Sequence, residues 1–250
     1  MKDGEYIDIS NWQPGKAGIV YMIPSPLSTG DEVTATLPPQ IRDVCNQLDF
    51  FFAENIRTGR RFLSKLQLDK QIHDLEFEEL NKHTSFEEIM QLLQPVMAGR
   101  DAGMLSEAGC PGVADPGADL AQAAHQMGIR VVPLVGPSSF LLALMASGLD
   151  GQAFAFHGYI PIDKQQRNKA IKDLDRKAQQ GEGTQIFMET PYRNEKLFQE
   201  LVRTCHPDTR LCIARDLTGP DEWIKTKSIS SWKREKPALH KVPVVFLLGQ

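Results

Sequence analysis

Between residues 19 and 134, short apolar runs alternate with segments of helical composition, and that alternation restricts the fold more than any single motif does. The runs IVYMI at 19–23, FFFA at 50–53, a segment near 72–77, AGML at 102–105 and IRVVPL at 129–134 read as strands. Helices are expected near 39–48 and 58–66, over 85–97 as a charged amphipathic segment, and over 119–127. Strands that alternate with helices predict an α/β domain on a mostly parallel sheet. After residue 134 the pattern changes to AFAFHGYIP, TQIFMET, TRLCIARD, EWIKTKSI and VPVVFLLG, with helices expected over 140–149, 164–179 and 192–205. Three of these strand-like segments come with little helix between them, which predicts an antiparallel or mixed α+β domain. The expected organisation is a polar, aperiodic extension at 1–17, an α/β domain at 18–134 and an α+β domain at 135–250, with a ligand cleft between the two domains.

Composition narrows the class. The 250 residues are 41% hydrophobic, enough for a real core, and the net charge of −4 gives no global attraction to polyanions. Any nucleic acid must therefore be met by local patches. Cys45, Cys110, Cys205 and Cys212 show no CxxC spacing and read as reduced thiols of a cytoplasmic protein. The six histidines have no metal-ligand spacing, so no metal is expected. No signal peptide is legible, and the uncharged run 131–149 is broken by Pro133, Gly136, Pro137, Ser138 and Ser139, so no membrane span is expected.

Two loops carry the functional signal. MLSEAGCPGVADPG, at 104–117, places Gly109, Gly112, Gly117, Pro111 and Pro116 between a strand end and a helix. Glycine lets backbone amides approach a ligand and proline stiffens the loop, so this reads as a cradle. A second strand-to-helix loop, VGPSSF, follows at 135–140. Neither is a GxGxxG fingerprint, so a nicotinamide dinucleotide is not expected.

With these residues the chain resembles the tetrapyrrole methylase superfamily of S-adenosylmethionine-dependent methyltransferases, and within it the branch that methylates a cytidine 2'-hydroxyl in small-subunit ribosomal RNA. The resemblance rests on GIVYMIPSPLSTGD, DFFFAENIRTGRRFL, LSEAGCPGVADPG, VGPSS, FHGYIPIDKQQR, METPYR, ARDLTGPDEWIKT and VPVVFLLG, in order across 18–249. That branch usually has AEDTR, SDAG and a proline where this chain has AENIR, SEAG and Val135, and it tends to run further at the C-terminus.

The resemblance implies a two-domain fold and an S-adenosylmethionine site formed by Pro26, Ala108, Gly109, Cys110, Pro111, Val113, Ser138 and Ser139, with Met188 a weaker member. It also implies a homodimer. A ribose hydroxyl is a poor nucleophile and calls for a base. Glu54, after FFFA, ranks first and Glu107 second, while Asp115 reads as a cap for the following helix. The alternative for Glu54 is an ion pair with Arg57 or Arg60. Glu189, Tyr192 and Arg193 read as substrate-facing.

Three basic clusters are candidates for RNA: Arg57, Arg60, Arg61 and Lys65; Arg167, Lys169 and Lys172; and the segment 225–241, with six Lys or Arg and Glu235 as its only acid. Trp223, Tyr159 and Trp232 are candidate base-stacking residues. The leading expectation is ribose methylation in small-subunit RNA. C-methylation of a tetrapyrrole and a non-catalytic S-adenosylmethionine-binding protein are the rivals.

Overall fold

A computed structural model describes residues 17–28 and 35–250. Most of the expected extension at 1–17 and the end of the first motif lie outside them. The chain divides into two compact units at Pro137 and Ser138, against a boundary expected after Leu134.

The first unit is a five-stranded, all-parallel sheet. Its strands are β1 (Ile19–Ile23), β2 (Phe50–Ala53), β3 (Glu76–Glu79), β4 (Ala102–Leu105) and β5 (Arg130–Pro133), in the order β3-β2-β4-β1-β5. Position in the sheet explains the composition of each strand. FFFA and AGML are central and wholly buried, as strands covered on both faces must be. EFEE and RVVP are edges, half exposed, and carry the charges and the proline that discourage further pairing.

The helices are α1 (Pro39–Gln47), α2 (Ile56–Lys65), α3 (Phe86–Leu92), α4 (Gln94–Met97) and α5 (Gly117–Gln126). One core joins Ile41 and Cys45 of α1 and Phe62 and Leu63 of α2 to Ile23, Phe51 and Leu105. The other joins Ile89 of α3, Val96 of α4 and Leu120 and Ala123 of α5 to Val20, Phe52 and Met104. The helix expected over 85–97 starts on a Ser85–Glu88 capping box and divides at Leu93, before Pro95 of α4. The strand expected near 72–77 is in fact a single 3-10 turn at Ile72–Asp74 followed by β3. Periodicity misled there because Leu75 is an apolar plug at the end of the turn, whereas the real strand is an acidic edge.

The second unit holds α6 (Ser139–Ser147), β6 (Phe154–Tyr159), α7 (Lys164–Gln179), β7 (Thr184–Met188), α8 (Asn194–Thr204), β8 (Arg210–Arg215), β9 (Trp223–Ser228), α9 (Ile229–Trp232) and β10 (Val244–Gly249). Its sheet runs β6-β7-β10-β8-β9, with β6 and β7 parallel and the other pairs antiparallel, so it is mixed. Ile171 and Leu174 of α7, Leu197 and Leu201 of α8 and Trp232 of α9 close one core over Phe187, Ile213 and Phe246. α6 packs on β8, β9 and β10 and ends at Gly148 in the left-handed region, φ 65°. No helix among the described residues is long and apolar enough to cross a membrane.

Candidate active site

The register of the first sheet brings the sequence loops together. Ala53 and Ile23 both pair with Leu105, so β2, β4 and β1 end level and hand over to Glu54, Ser106 and Pro24 side by side. β5 ends one rung earlier, with Met22 paired to Pro133, and Leu134 then donates its amide to Met22 at 3.0 Å. The connection from β2 runs to the β3 edge, whereas the connection from β4 runs across β1 to β5. Between β2 and β4 the chain therefore diverges, and the crevice outside the carboxyl ends at such a point is where open α/β sheets hold ligands. Glu54 and Glu107 flank that crevice.

The loops are tied to one another by their backbones. Ser25 and Gly109 form an isolated antiparallel bridge, and the Ser25 hydroxyl donates to the Ser106 carbonyl at 2.5 Å. Pro26 follows directly, partly exposed. The Cys110 thiol donates to the Pro137 carbonyl at 3.4 Å, linking the cradle to the loop after β5. Gly109 and Gly112 lie at φ 76° and 80°, where a side chain is strained, and Ala114 is held at φ 60°. Asp115 organises this turn: its Oδ1 accepts the amides of Gly112 at 2.5 Å and Gly117 at 2.8 Å. The cap reading of Asp115 thus describes half of its work, the other half being closure of the cradle.

Glu54 sits where β2 leaves the sheet, and Asn55 behind it caps α2 by accepting the Thr58 amide at 3.1 Å. Partial burial raises the proton affinity of its carboxylate above the ordinary carboxylate value; the negative charges of Glu107 and Asp115 add to the rise, and Lys82 opposes it. Among the described residues Glu54 forms no ion pair with Arg57 or Arg60. Arg57 is exposed, and the Arg60 guanidinium lies over the Phe77 ring, 5.2 Å from its centroid. Glu107 is exposed, with no hydrogen bond among the described residues. Lys82 escaped sequence reasoning because the strand was expected near 72–77, whereas β3 runs on to Glu79 and Lys82 lies in the loop that follows it. A lysine in the polar loop after the acidic run EFEE was the available signal.

The amides of Ala108 and Cys110 make no hydrogen bond among the described residues, and Val113 stands 41% exposed beside Pro111. Free backbone donors, an apolar wall and glycines held at left-handed φ fit a polar ligand with an apolar body. In the second unit Ser138 and Ser139 open α6, and the Ser138 side chain caps nothing. Met188, partly exposed, ends β7, where its carbonyl accepts the Ile160 amide at 3.0 Å.

Three residues expected at a substrate have other duties. The Glu189 carboxylate is 1% exposed and holds Arg193 at 2.7 Å and the Thr190 amide at 2.6 Å, so it positions Arg193 and faces no solvent. Arg167 is buried, with a two-pronged pair to Glu200 at 2.5 and 2.9 Å and a bond to the Ile162 carbonyl. Trp232 is fully buried, its indole N–H bound to the Leu211 carbonyl at 2.9 Å, and cannot stack a base. Tyr192 and Tyr159 are exposed, and Lys241 lies over the Tyr192 ring at 5.8 Å.

Comparison with known proteins decides the family. The profile described as Tetrapyrrole (Corrin/Porphyrin) Methylases matches residues 29–231. The chain belongs to the tetrapyrrole methylase family. It is 31% identical over 225 residues to "Ribosomal RNA small subunit methyltransferase I" of Streptococcus pyogenes serotype M6, covering 88% of this chain and 73% of that protein. The protein of the same name from Vibrio cholerae is 27% identical over 238 residues, 94% of this chain and 78% of its own. Among solved structures, the methyltransferase CobJ gives a TM-score of 0.61 at 18% identity, with 94% of both chains covered. The native form of uroporphyrin III C-methyl transferase from Thermus thermophilus gives 0.54 at 19% identity, with 93% of this chain and 98% of that one covered. These two show the fold. As a tetrapyrrole methylase the chain is a methyltransferase, and the expected two-domain α/β architecture and family hold.

Proposed function

We propose that this tetrapyrrole methylase transfers a methyl group from S-adenosylmethionine to a ribose 2'-hydroxyl in small-subunit ribosomal RNA. The observation that carries the reading is the likeness to the protein named for the small-subunit RNA, spread over 88% of the chain. The site supports it chemically, because a hydroxyl acceptor needs a base and Glu54 is a carboxylate of raised proton affinity at the switch point.

In this reading Pro26, the backbone of 108–111 and Val113 would hold the donor. When bound, it supplies an electrophilic methyl on a sulfonium. Glu54 would accept the proton of the acceptor hydroxyl as the oxygen takes the methyl and the sulfonium leaves as the thioether of S-adenosylhomocysteine, and Glu107 and Asp115 keep that carboxylate basic. The remaining work is alignment of the two reacting atoms. A homodimer is part of the proposal, supported by Leu141 and Met145 of α6, 43% and 80% exposed. Light scattering at the mass of one chain contradicts it. An RNA acceptor also makes the protein cytoplasmic.

The test is transfer of tritiated methyl from S-adenosylmethionine to three acceptors: unmethylated small-subunit RNA, assembled small subunits and a uroporphyrinogen. Label in the RNA, retained after base removal, supports the proposal. Label only in the tetrapyrrole, or none with S-adenosylhomocysteine still bound, replaces it with one of its rivals.

A further inference from the structure

Two of the three basic clusters in the sequence give up part of their charge to ion pairs and leave the rest exposed. In the 225–241 segment, Lys225 and Lys227 both turn onto Glu235, while Lys233, Arg234, Lys236 and Lys241 stay exposed. On α7, Arg167 is buried against Glu200, while Lys169 and Lys172 stay exposed on a helix that also carries Asp173 and Asp175. Elsewhere Arg42 is paired with Asp69, and Arg100 with Asp49 and Glu76. α2 differs. Its sequence IRTGRRFLSK holds four cations and no acid, in a chain of net charge −4.

The geometry of α2 aims that charge. Gly59, Phe62 and Leu63 are its buried side, leaving Arg57 and Arg61 exposed one helical turn apart. Neither has a hydrogen bond or ion pair among the described residues. Both are arginines, whose planar forks suit phosphate oxygens. Arg57 is the second residue of a helix that starts two residues after Glu54, so the cap of α2 and its packing on β2 set where these two side chains leave the backbone relative to the carboxylate.

We propose that the Arg57–Arg61 face of α2 is a track for backbone phosphates of the RNA acceptor, which it leads toward Glu54. The inference rests on the RNA reading above and adds the surface by which a net acidic protein binds a polyanion. It also divides the labour on α2: Arg57 and Arg61 meet phosphate, while Arg60 is held on Phe77 and packs the β3 edge.

The test measures binding of an unmethylated small-subunit RNA transcript to the full chain by anisotropy across a salt series. The wild type, Arg57→Gln/Arg61→Gln and Lys169→Gln/Lys172→Gln are compared, the last removing two exposed cations from α7. Each lost phosphate contact lowers the slope of log affinity against log salt by about 0.7 for single-stranded RNA. The α2 pair should lower it by about 1.4 and weaken binding roughly tenfold, uniformly across RNA sequences. Its S-adenosylhomocysteine affinity and melting temperature should match the wild type, which separates a lost contact from misfolding. An unchanged slope in the α2 variant, or a loss confined to the α7 variant, overturns the track. Absence of salt-dependent RNA binding by the wild type, with no label transferred to RNA, overturns the RNA reading itself and the track with it.

Discussion

Ser25 and Gly109 exchange both backbone hydrogen bonds, at 2.9 and 3.0 Å, and so lock the loop after β1 to the loop after β4. The donated and accepted amides leave little freedom to either segment, and Gly109 can take part because it tolerates φ 76°. Preorganised loops lose less entropy when a ligand arrives.

The loop after β5 joins this assembly by packing. A Cβ added at Gly136 would lie 2.2 Å from Cβ of Pro24, a rigid ring that cannot move aside. Gly136→Ala should therefore push the loops apart, costing about 1–3 kcal/mol in urea unfolding. Calorimetry should show weaker S-adenosylhomocysteine binding. Unchanged values in both measurements would mean that the two loops are not coupled through this contact.

The raised proton affinity of Glu54 makes a stability prediction. The folded state favours the protonated form, so this contribution is complete below the ordinary carboxylate pKa and is lost as pH rises through the raised one. Glu54→Gln keeps a neutral side chain at every pH. It should melt above the wild type at neutral pH, with the gap closing below about pH 4. A variant that melts lower at neutral pH would show Glu54 to be a structural partner.

The Arg167–Glu200 pair behaves in the opposite sense. Hydrogen bonding to the Arg167 guanidinium holds the Glu200 carboxyl below its ordinary value, and its stabilisation is therefore present above that value and lost as pH falls through the lowered one. With both side chains largely buried, Glu200→Gln should cost about 3 kcal/mol at neutral pH. Thermal melts across acid pH should show the wild type losing that advantage, and equal stability at neutral pH would refute the role.

Much of the fold was legible because the sheet imposes it. FFFA and AGML read as buried strands since central parallel strands are covered on both faces. EFEE was displaced because an edge strand has no apolar periodicity to announce it. At the site, Glu54 was reachable as an acid after a buried strand, whereas its surroundings depend on register that joins positions 53 and 105. The cationic residues were harder. Arg167 and Arg57 look alike in sequence, and only the distant Glu200 makes one a buried strut while the other stays exposed.

If Glu54 takes the proton of the acceptor, methyl transfer from saturating S-adenosylmethionine to unmethylated small subunits must differ sharply between the wild type and Glu54→Gln. The variant preserves shape and removes the proton acceptor, so transfer should fall about a hundredfold or more while S-adenosylhomocysteine affinity stays unchanged. Full transfer by Glu54→Gln would rule Glu54 out as the base and move the role to Glu107.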